Sequence, residues 1–268
     1  MSISIATWNI NSVRLRIDLV TRFLEEHKPD ILCLQETKCM NGQFPHGPFR
    51  KLGYDYHAIN GQKGYHGVAI LSRLPLQEEE SLMFCEKPDA RHGAALVTTP
   101  DGPLRIHNFY VPAGGDIPDV EANEKFAHKL GFLDEMRLWG QKEKQTQIPT
   151  VLVGDLNVAP LENDVWSHKQ MLKIVSHTPM ETERMLAAIQ EGEWVDAMRH
   201  LIPEPEKVYT WWSYRAADWA LANRGRRLDH IWVSPDLAPK LSDLTILREA
   251  RGWERPSDHV PVMVRLNA

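Results

Sequence analysis

Four short segments of the chain combine a run of apolar residues with a small cluster of polar residues. An apolar run of about four residues between polar ones is typical of a strand that is buried on both faces of a sheet. Polar side chains at the ends of such strands project from the rim of the sheet, where a carboxylate is only partly desolvated and can bind a cation. The four segments therefore predict a sheet protein with a polar site at one rim. They are residues 5–11 (IATWNIN), 31–37 (ILCLQET), 151–157 (VLVGDLN) and 256–260 (PSDHV).

The polar clusters together hold three carboxylates, several amides and a histidine. Asn9 and Asn11 are two residues apart, as are Asp155 and Asn157, so each pair points to one side wherever the chain is extended. Packing alone does not explain so many polar groups beside apolar strands. The pattern indicates an active site.

The length and the periodicity of the chain predict one α/β domain. The 268 residues contain no linker rich in Gly, Ser or Pro, so we expect a single domain over residues 1–268. Apolar spacing predicts helices at residues 13–27, 120–142 and 181–190. Strand-rich stretches between these helices favour two packed sheets covered by helices. The predicted strands are residues 54–60, 67–72, 93–99, 104–111, 208–214, 228–234 and 258–265.

Charge and cysteine content limit the class of protein. The net charge of −5 argues against a protein that coats nucleic acid, but it allows an enzyme that binds a few phosphates. Cys33, Cys39 and Cys85 form no CxxC pattern, as expected for reduced thiols in a cytoplasm. The first residues lack the basic start of a signal peptide, and no apolar stretch approaches the roughly 20 residues that cross a membrane. We therefore expect a cytoplasmic protein with no membrane partner.

Three positions are candidates for metal binding and proton transfer. Glu36 would be a surface acid on the simplest interpretation, but its carboxylate also suits Mg²⁺, which prefers hard oxygen ligands. Asp155 follows Gly154, which lets backbone or substrate approach closely, and the alternative for Asp155 is a turn residue. His259 alone would be a structural histidine, whereas a partner such as Asp229 would fix its tautomer and raise its pKa.

Aromatic and basic residues suggest a surface for nucleic acid. Tyr110 ends an apolar run, where its hydroxyl can bind a phosphate. Trp211 and Trp212 precede a run of arginines at positions 224, 226 and 227. Aromatic rings beside arginines can stack on bases and bind phosphates. The alternative is that these rings pack in the core and that the arginines are solvated.

Five motifs occur in the same order as in a known family. They are residues 8–14 (WNINSVR), 34–38 (LQETK), 61–69 (GQKGYHGVA), 154–160 (GDLNVAP) and 257–262 (SDHVPV). With residues 227–229 (RLD) between the last two, the chain resembles exonuclease III from about residue 3 to residue 266. Exonuclease III belongs to the endonuclease/exonuclease/phosphatase superfamily.

The resemblance implies a fold and an activity. The implied fold is a four-layer α/β sandwich, with two mixed sheets face to face, helices outside and the site at one rim. The implied activity is Mg²⁺-dependent hydrolysis of DNA phosphodiesters, with Mn²⁺ as a substitute. Such an enzyme acts in base excision repair as a 3′–5′ exonuclease on double-stranded DNA that releases 5′-mononucleotides, with 3′-end cleaning and incision at abasic sites. We expect a cytoplasmic monomer of bacterial type that associates with the nucleoid when it acts.

The resemblance also implies a role for each matching residue. Glu36 would hold the metal, with Asn9 and Asp258 close by, and Asp155 and Asn157 are further candidates for metal ligands. Asp155 would orient or deprotonate the attacking water, and Asp229 would steady His259 as it stabilises the transition state. The sequence leaves open whether one or two metals act and whether Asp155 or His259 is the base. The remaining candidates are Asn157 and Tyr110 for phosphate oxygens, and Asn11, Trp211, Trp212, Arg226 and Leu228 for DNA.

Two departures from the family bear on abasic sites. Relatives that incise such sites hold the flipped sugar in an apolar pocket, which here would comprise Trp211, position 226 and Leu228. Arg226 stands where the family has a large apolar residue, and His177 lies in a nearby loop. We therefore expect incision to be weaker than exonuclease activity. Two alternatives are a phosphatase or diesterase for small phosphorylated molecules and a catalytically inactive DNA-binding scaffold.

Overall fold

The computed structural model describes residues 2–267, and these form twelve strands. The strands are, in chain order, β1 (Ile3–Asn9), β2 (Ile31–Gln35), β3 (Tyr56–Asn60), β4 (Val68–Ser72), β5 (Leu76–Glu79), β6 (His92–Thr99), β7 (Gly102–Tyr110), β8 (Thr150–Asp155), β9 (Val195–Asp196), β10 (Asp229–Val233), β11 (Leu241–Ile246) and β12 (Val262–Leu266). They build two sheets of six strands, in the orders β11-β12-β1-β2-β4-β3 and β5-β6-β7-β8-β10-β9. Each sheet is mixed, because β1 runs parallel to β2 and β7 runs parallel to β8.

The helices of the described residues are α1 (Ile17–His27), α2 (His46–Lys51), α3 (Glu124–Glu143), α4 (His168–Met171), α5 (Pro179–Glu191), α6 (Ala197–Leu201) and α7 (Trp219–Ala222). The longer helices α1, α3 and α5 cover the outer faces of the sheets, whereas α6 packs against the core between the sheets. Phe23 of α1 packs in a cluster with Trp8 of the first sheet, and Phe132 of α3 and Met185 of α5 pack in a cluster with Leu152 of the second. Among the described residues, no helix combines the length and the apolar character that crossing a membrane requires.

The two sheets face each other across the main core. Ile5 and Cys33 of the first sheet share one buried cluster with Ile106, Val153 and Ile231 of the second. Strands buried on both faces explain why the sequence shows continuous apolar runs instead of alternation. The predicted four-layer α/β sandwich, with two mixed sheets and helices outside, is confirmed.

The first helix is shorter than predicted. Val13 is buried, which places it in the apolar pattern, but α1 begins only at Ile17. The backbone N–H groups of Ser12 and Val13 donate to the carbonyls of Glu36 and Thr37 instead of entering a helix. Residues 11–13 are therefore a loop that fastens the end of β1 to the end of β2.

The predicted strand at residues 208–214 is wrong. The segment makes only isolated bridges, from Trp211 to Arg226 and to His259. The Thr210 hydroxyl accepts hydrogen bonds from the N–H groups of Leu228 and Asp229, at 3.0 and 3.1 Å. Tertiary contacts therefore hold the segment without a regular strand, and of its aromatic residues Trp212 is buried whereas Tyr214 is exposed.

A strand was predicted at residues 258–265, but β12 begins four residues later, at Val262. The N–H of His259 donates to the Ser257 hydroxyl, and the N–H of Val260 donates to the Thr210 carbonyl. The residues before β12 therefore form a loop, and a loop lets adjacent side chains face the same site.

Candidate active site

The candidate catalytic residues meet at one rim of the paired sheets. Asn9 ends β1, and Glu36 directly follows β2, which runs parallel to β1. In the second sheet, Tyr110 at the end of β7 is the register partner of Asp155 at the end of β8. Asp229 begins β10 opposite Asp155 in the antiparallel pair. The ends of five strands thus bring these groups together, as predicted for a site at a sheet rim.

Hydrogen bonds fix the loop that carries His259. Trp8 Nε1 donates to the His259 carbonyl at 3.1 Å. The Ser257 hydroxyl donates to the Asn9 carbonyl at 2.6 Å and accepts from the His259 N–H at 3.2 Å. The loop is therefore tied to β1, and the imidazole is held at the rim.

Asn9 joins the two sheets at the centre of the site. Its side-chain amide donates to Glu36 Oε1 at 2.9 Å and to Asp155 Oδ2 at 2.8 Å. Glu36 belongs to the first sheet and Asp155 to the second. One amide group therefore sets the distance between the two carboxylates.

His259 lies between two carboxylates. Its Nδ1 is 2.8 Å from Asp229 Oδ2, and its Nε2 is 3.5 Å from Asp155 Oδ2. Because the Thr210 hydroxyl accepts two backbone N–H groups, its own proton is free to donate to Asp229 Oδ2 at 2.6 Å. Thr210 thereby orients Asp229, and Asp229 orients the imidazole.

The surroundings raise the pKa values of both His259 and Asp155. Burial lowers the pKa of His259, but the nearby carboxylates of Asp229 and Asp155 outweigh it and raise the pKa to about 10. Burial and then the neighbouring Asp229 raise the pKa of Asp155 to about 7, against the opposing charge of His259. The carboxylates therefore favour the charged imidazolium of His259, and burial favours the protonated form of Asp155.

The polar pairs at the ends of β1 and β8 are turns. Asn11 and Asn157 have left-handed backbones with φ of 49° and 54°. The N–H of Asn11 donates to Asn9 Oδ1 at 3.1 Å, and the N–H of Asn157 donates to Asp155 Oδ1 at 3.0 Å. The expectation that each pair points to one side of an extended strand is therefore wrong, because each side chain closes its own turn.

The backbone of β7 passes so close to position 154 that only glycine fits there. Its φ is +146°, and a Cβ at this position would overlap the carbonyl oxygen of Phe109. This contact is the close approach that the sequence suggested for the residue before Asp155.

Oxygen ligands that could hold a metal lie around Glu36. Burial raises the pKa of Glu36, but the Lys38 ammonium and the Asn9 amide lower it below its usual value. The Lys38 ammonium lies 2.8 Å from Glu36 Oε2 and 2.6 Å from Asn11 Oδ1, so this position favours a cation. Asp258 Oδ1 accepts from Asn11 Nδ2 at 3.5 Å, which places a second carboxylate beside the group. These carboxylate and amide oxygens fit a hard divalent cation.

A second acidic cluster that could hold a metal ion comprises Asp155, Asp229 and His259. Their potential ligand atoms lie within 4.8 Å of one another. Both nitrogens of His259 already face carboxylates, so the imidazole is hydrogen-bonded within the cluster.

Tyr110 and Asn157 flank Asp155. Burial and then the charge of Glu36 raise the pKa of Tyr110 well above its ordinary value, so its hydroxyl remains a hydrogen-bond donor. Asn157 Nδ2 donates to the Val111 carbonyl at 2.9 Å and to Asp155 Oδ2 at 3.2 Å. Both residues are thus fixed beside Asp155.

Of the residues proposed to contact DNA, Trp211 and Arg226 line a cavity, whereas the Trp212 ring packs in the core. The Trp211 indole donates to Asp258 Oδ2 at 2.9 Å, and its ring lies beside the apolar cluster that contains Leu228. Trp212 is only 2% exposed and packs in the core, as the core-packing alternative predicted. Arg226 lies over the Trp211 ring, with Cζ 4.8 Å from the ring centroid. A cavity of about 410 Å³ borders Trp211 and Arg226.

Two residues of the site were not identified from the sequence. Lys38 belongs to the LQETK motif, so its position beside Glu36 could have been inferred from the motif itself. Thr210 lies in the segment mistaken for a strand, and no spacing in the sequence connects it to Asp229, which is 19 residues away.

Comparisons with known proteins agree with this geometry. Residues 6–259 match the Endonuclease/Exonuclease/phosphatase family, and the chain belongs to this family. It is 30% identical to exodeoxyribonuclease III of Haemophilus influenzae, with 96% of this chain and 97% of that protein aligned. The resemblance to exonuclease III and the prediction of a hydrolytic enzyme are confirmed.

Solved structures are similar over the same length. An AP endonuclease from Archaeoglobus fulgidus superposes with a TM-score of 0.91 and 33% identity, over 99% of this chain and 100% of that chain. A 3′ phosphatase from Neisseria bound to a product DNA hairpin superposes with a TM-score of 0.90 and 32% identity, over the same shares.

Proposed function

We propose that the protein is a Mg²⁺-dependent phosphodiesterase of DNA repair that removes 5′-mononucleotides from the 3′ ends of duplex DNA. The observation that carries this proposal is the Asn9 amide, which joins Glu36 to Asp155 across the two sheets. The Asp229–His259 pair lies next to Asp155, with 3.5 Å between His259 Nε2 and Asp155 Oδ2. The candidate metal ligand Glu36, the proton acceptor Asp155 and the cationic His259 thus lie together in one site.

We assign the general base to Asp155. A pKa of about 7 suits a group that takes a proton from water at neutral pH. His259 carries its proton over the same range, so its role is to stabilise negative charge on the phosphate oxygens in the transition state. Tyr110 and Asn157 are placed to orient phosphate oxygens.

Glu36, Asn9 and Asp258 would hold Mg²⁺, or Mn²⁺ in its place. Bound there, the cation would supply charge neutralisation for the phosphate oxygens. The Lys38 ammonium next to Glu36 marks the position as one that favours positive charge.

The protonation of His259 should appear in the pH dependence. The carboxylates raise the pKa of His259, so activity is expected to persist until the pH approaches about 10 and then to fall. Asp229→Asn removes one of these carboxylates, so the alkaline limb of the kcat/KM profile should move down by about one pH unit or more. Thr210→Val is the matched control, because it removes a hydrogen bond to Asp229 without removing a charge. Coincident alkaline limbs for wild type and Asp229→Asn would remove Asp229 from this role.

Double-stranded DNA is the partner that the relatives support. The similar proteins include an exodeoxyribonuclease and a 3′ phosphatase bound to a DNA hairpin. We propose that residues 1–268 act as a single domain and as a monomer in the cytoplasm, associated with the nucleoid during repair.

Arg226 favours 3′ ends over abasic sites. Its guanidinium turns inward, where it donates to the Val175 carbonyl at 3.2 Å and to the Ser176 hydroxyl at 3.0 Å. Beside it, His177 is 1% exposed and is held by the Ala159 carbonyl. Arg226 Nε is buried and has no hydrogen-bond partner among the described residues. An apolar, base-less sugar packed against the guanidinium would leave this donor desolvated and unpaired, which disfavours such a sugar. We propose that exonuclease and 3′-end-cleaning activity exceed abasic-site incision.

Arg226→Leu should raise the ratio of abasic incision to exonuclease activity by about 10-fold, because one pocket contact carries a factor of that order. Both activities are measured on the same duplex with and without an internal abasic site. Arg22→Leu is the matched control, since this exposed arginine also lies over a tryptophan ring, Trp253, but is not among the residues that line the cavity. If wild type incises abasic duplex faster than it degrades a matched 3′ end, the role given to Arg226 is wrong.

A panel of substrates tests the proposed function against its alternatives. Wild-type protein is incubated with a labelled duplex and with small phosphoesters, including inositol phosphates and phospholipid head groups. The proposal expects cleavage of the duplex at much higher kcat/KM. Preferential cleavage of a small ester would favour the small-molecule phosphatase, and binding of the duplex without any cleavage would favour the inactive scaffold.

A further inference from the structure

Lys129 and Glu181 form a fully buried ion pair behind the active site. Lys129 Nζ lies 2.5 Å from Glu181 Oε1, and both side chains have no exposed surface. The same ammonium donates to the carbonyl of Asn157 at 2.7 Å and to that of Ala113 at 3.3 Å. Its three hydrogens therefore have three acceptors, one of them in the turn that follows Asp155.

Glu181 connects the ammonium to a second loop. Its carboxylate accepts from the N–H of Ser176 at 2.8 Å and from the hydroxyl of Thr178 at 2.7 Å. The Ser176 hydroxyl in turn accepts from Arg226, and the Ser176 carbonyl accepts from the N–H of Ala159 at 2.8 Å. The ion pair thus links the Asn157 turn to the side of the 410 Å³ cavity that Arg226 lines.

The surrounding chain makes room for the lysine. Gly114 has a φ of +88°, and a Cβ at this position would lie 2.8 Å from Lys129 Cδ. A buried ion pair is a weak source of stability, because apolar residues of similar volume often stabilise a core equally well. The feature that an apolar pair could not supply here is the hydrogen bond from Lys129 to the Asn157 carbonyl.

We propose that Lys129, held by Glu181, is a positioning residue that sets the Asn157 turn and thereby the Asn157 amide beside Asp155. This inference rests on the proposed hydrolysis of phosphodiesters. A small displacement of groups that orient the reacting phosphate lowers turnover strongly. The affinity for DNA changes little, because the rest of the protein surface that contacts DNA is unaltered.

Two variants separate positioning from stability. Glu181→Gln keeps one acceptor oxygen, which can still face Lys129 while the Thr178 donors lose their carboxylate oxygen. If the contact of Lys129 with Asn157 is what matters, kcat should stay within about threefold of wild type. Adding Lys129→Met removes the donor to the Asn157 carbonyl, and we expect kcat to fall by about 10- to 100-fold with KM changed by less than about threefold. Both variants are assayed on labelled duplex at temperatures where circular dichroism matches wild type.

The control is a partly buried ion pair at the opposite end of the sheet. Arg105 lies 2.8 Å from Glu143 and is the register partner of Thr150, at the start of β8. Arg105→Met with Glu143→Gln should leave kcat within about threefold of wild type. A folded Lys129→Met/Glu181→Gln variant with wild-type kcat would overturn the proposal, and so would one that never folds, since the pair would then serve folding alone. Wild-type protein without activity on duplex would instead refute the proposed function.

Discussion

Asp155→Asn, Glu36→Ala and His259→Ala are each expected to lower turnover on duplex DNA by about 10²-fold or more while the protein stays folded. Asp155→Asn removes the proton acceptor, and Glu36→Ala removes the carboxylate that Asn9 holds opposite it. His259→Ala removes a buried imidazolium between two carboxylates. Rates are measured under saturating substrate, with circular dichroism and melting curves as checks on the fold.

A double substitution tests whether these residues act as one unit. Asp155→Asn combined with His259→Ala should lose less than the product of the two single effects, because either loss already disables the same step. Arg105→Met is a suitable control, since Arg105 lies at the opposite end of β7 from Tyr110. Near-normal turnover in any one of the three single variants would remove that residue from the site.

Removal of divalent cations is expected to abolish activity. The ligands around Glu36 are carboxylate and amide oxygens, which favour Mg²⁺ or Mn²⁺ over softer metals. Excess EDTA should therefore stop release of nucleotides, and excess Mg²⁺ or Mn²⁺ should restore it. The measurement is the rate of digestion before chelation, during chelation and after metal is added back.

The same titration checks where the metal binds. Glu36→Ala should raise the Mg²⁺ concentration needed for half-maximal activity. Thr210→Val should leave that concentration close to wild type, because the Thr210 hydroxyl bonds Asp229 and the N–H of Leu228 and none of the groups around Glu36. Full activity in excess EDTA would refute the metal-dependent account.

The apolar runs with polar ends predicted both the strands and the rim of the site. This worked because a strand buried on both faces must be apolar, and because its end is the first place where a charge can meet solvent. Asn9, Glu36, Asp155 and Asp229 all lie at strand ends as the pattern suggested. The wrong expectation for Asn11 and Asn157 arose because an Asn or Asp side chain can bond its own backbone and turn the chain.

Contacts between distant segments could not be predicted from local patterns. The aromatic segment at residues 208–214 has the composition of a strand, but its backbone bonds go to Arg226 and Asp258. The inward turn of Arg226 depends on carbonyl and hydroxyl groups about 50 residues earlier, at Val175 and Ser176. Such partners become visible only once the chain is folded, because sequence spacing carries no information about them.

The proposed activity is tested most directly by the product that wild type and Asp155→Asn release from an internally labelled duplex in Mg²⁺. Wild type should shorten the strand from its 3′ end and release 5′-mononucleotides, and Asp155→Asn should release about 10²-fold fewer in the same time. Release of 3′-mononucleotides, degradation from the 5′ end, or equal release by the two proteins would contradict the proposed function.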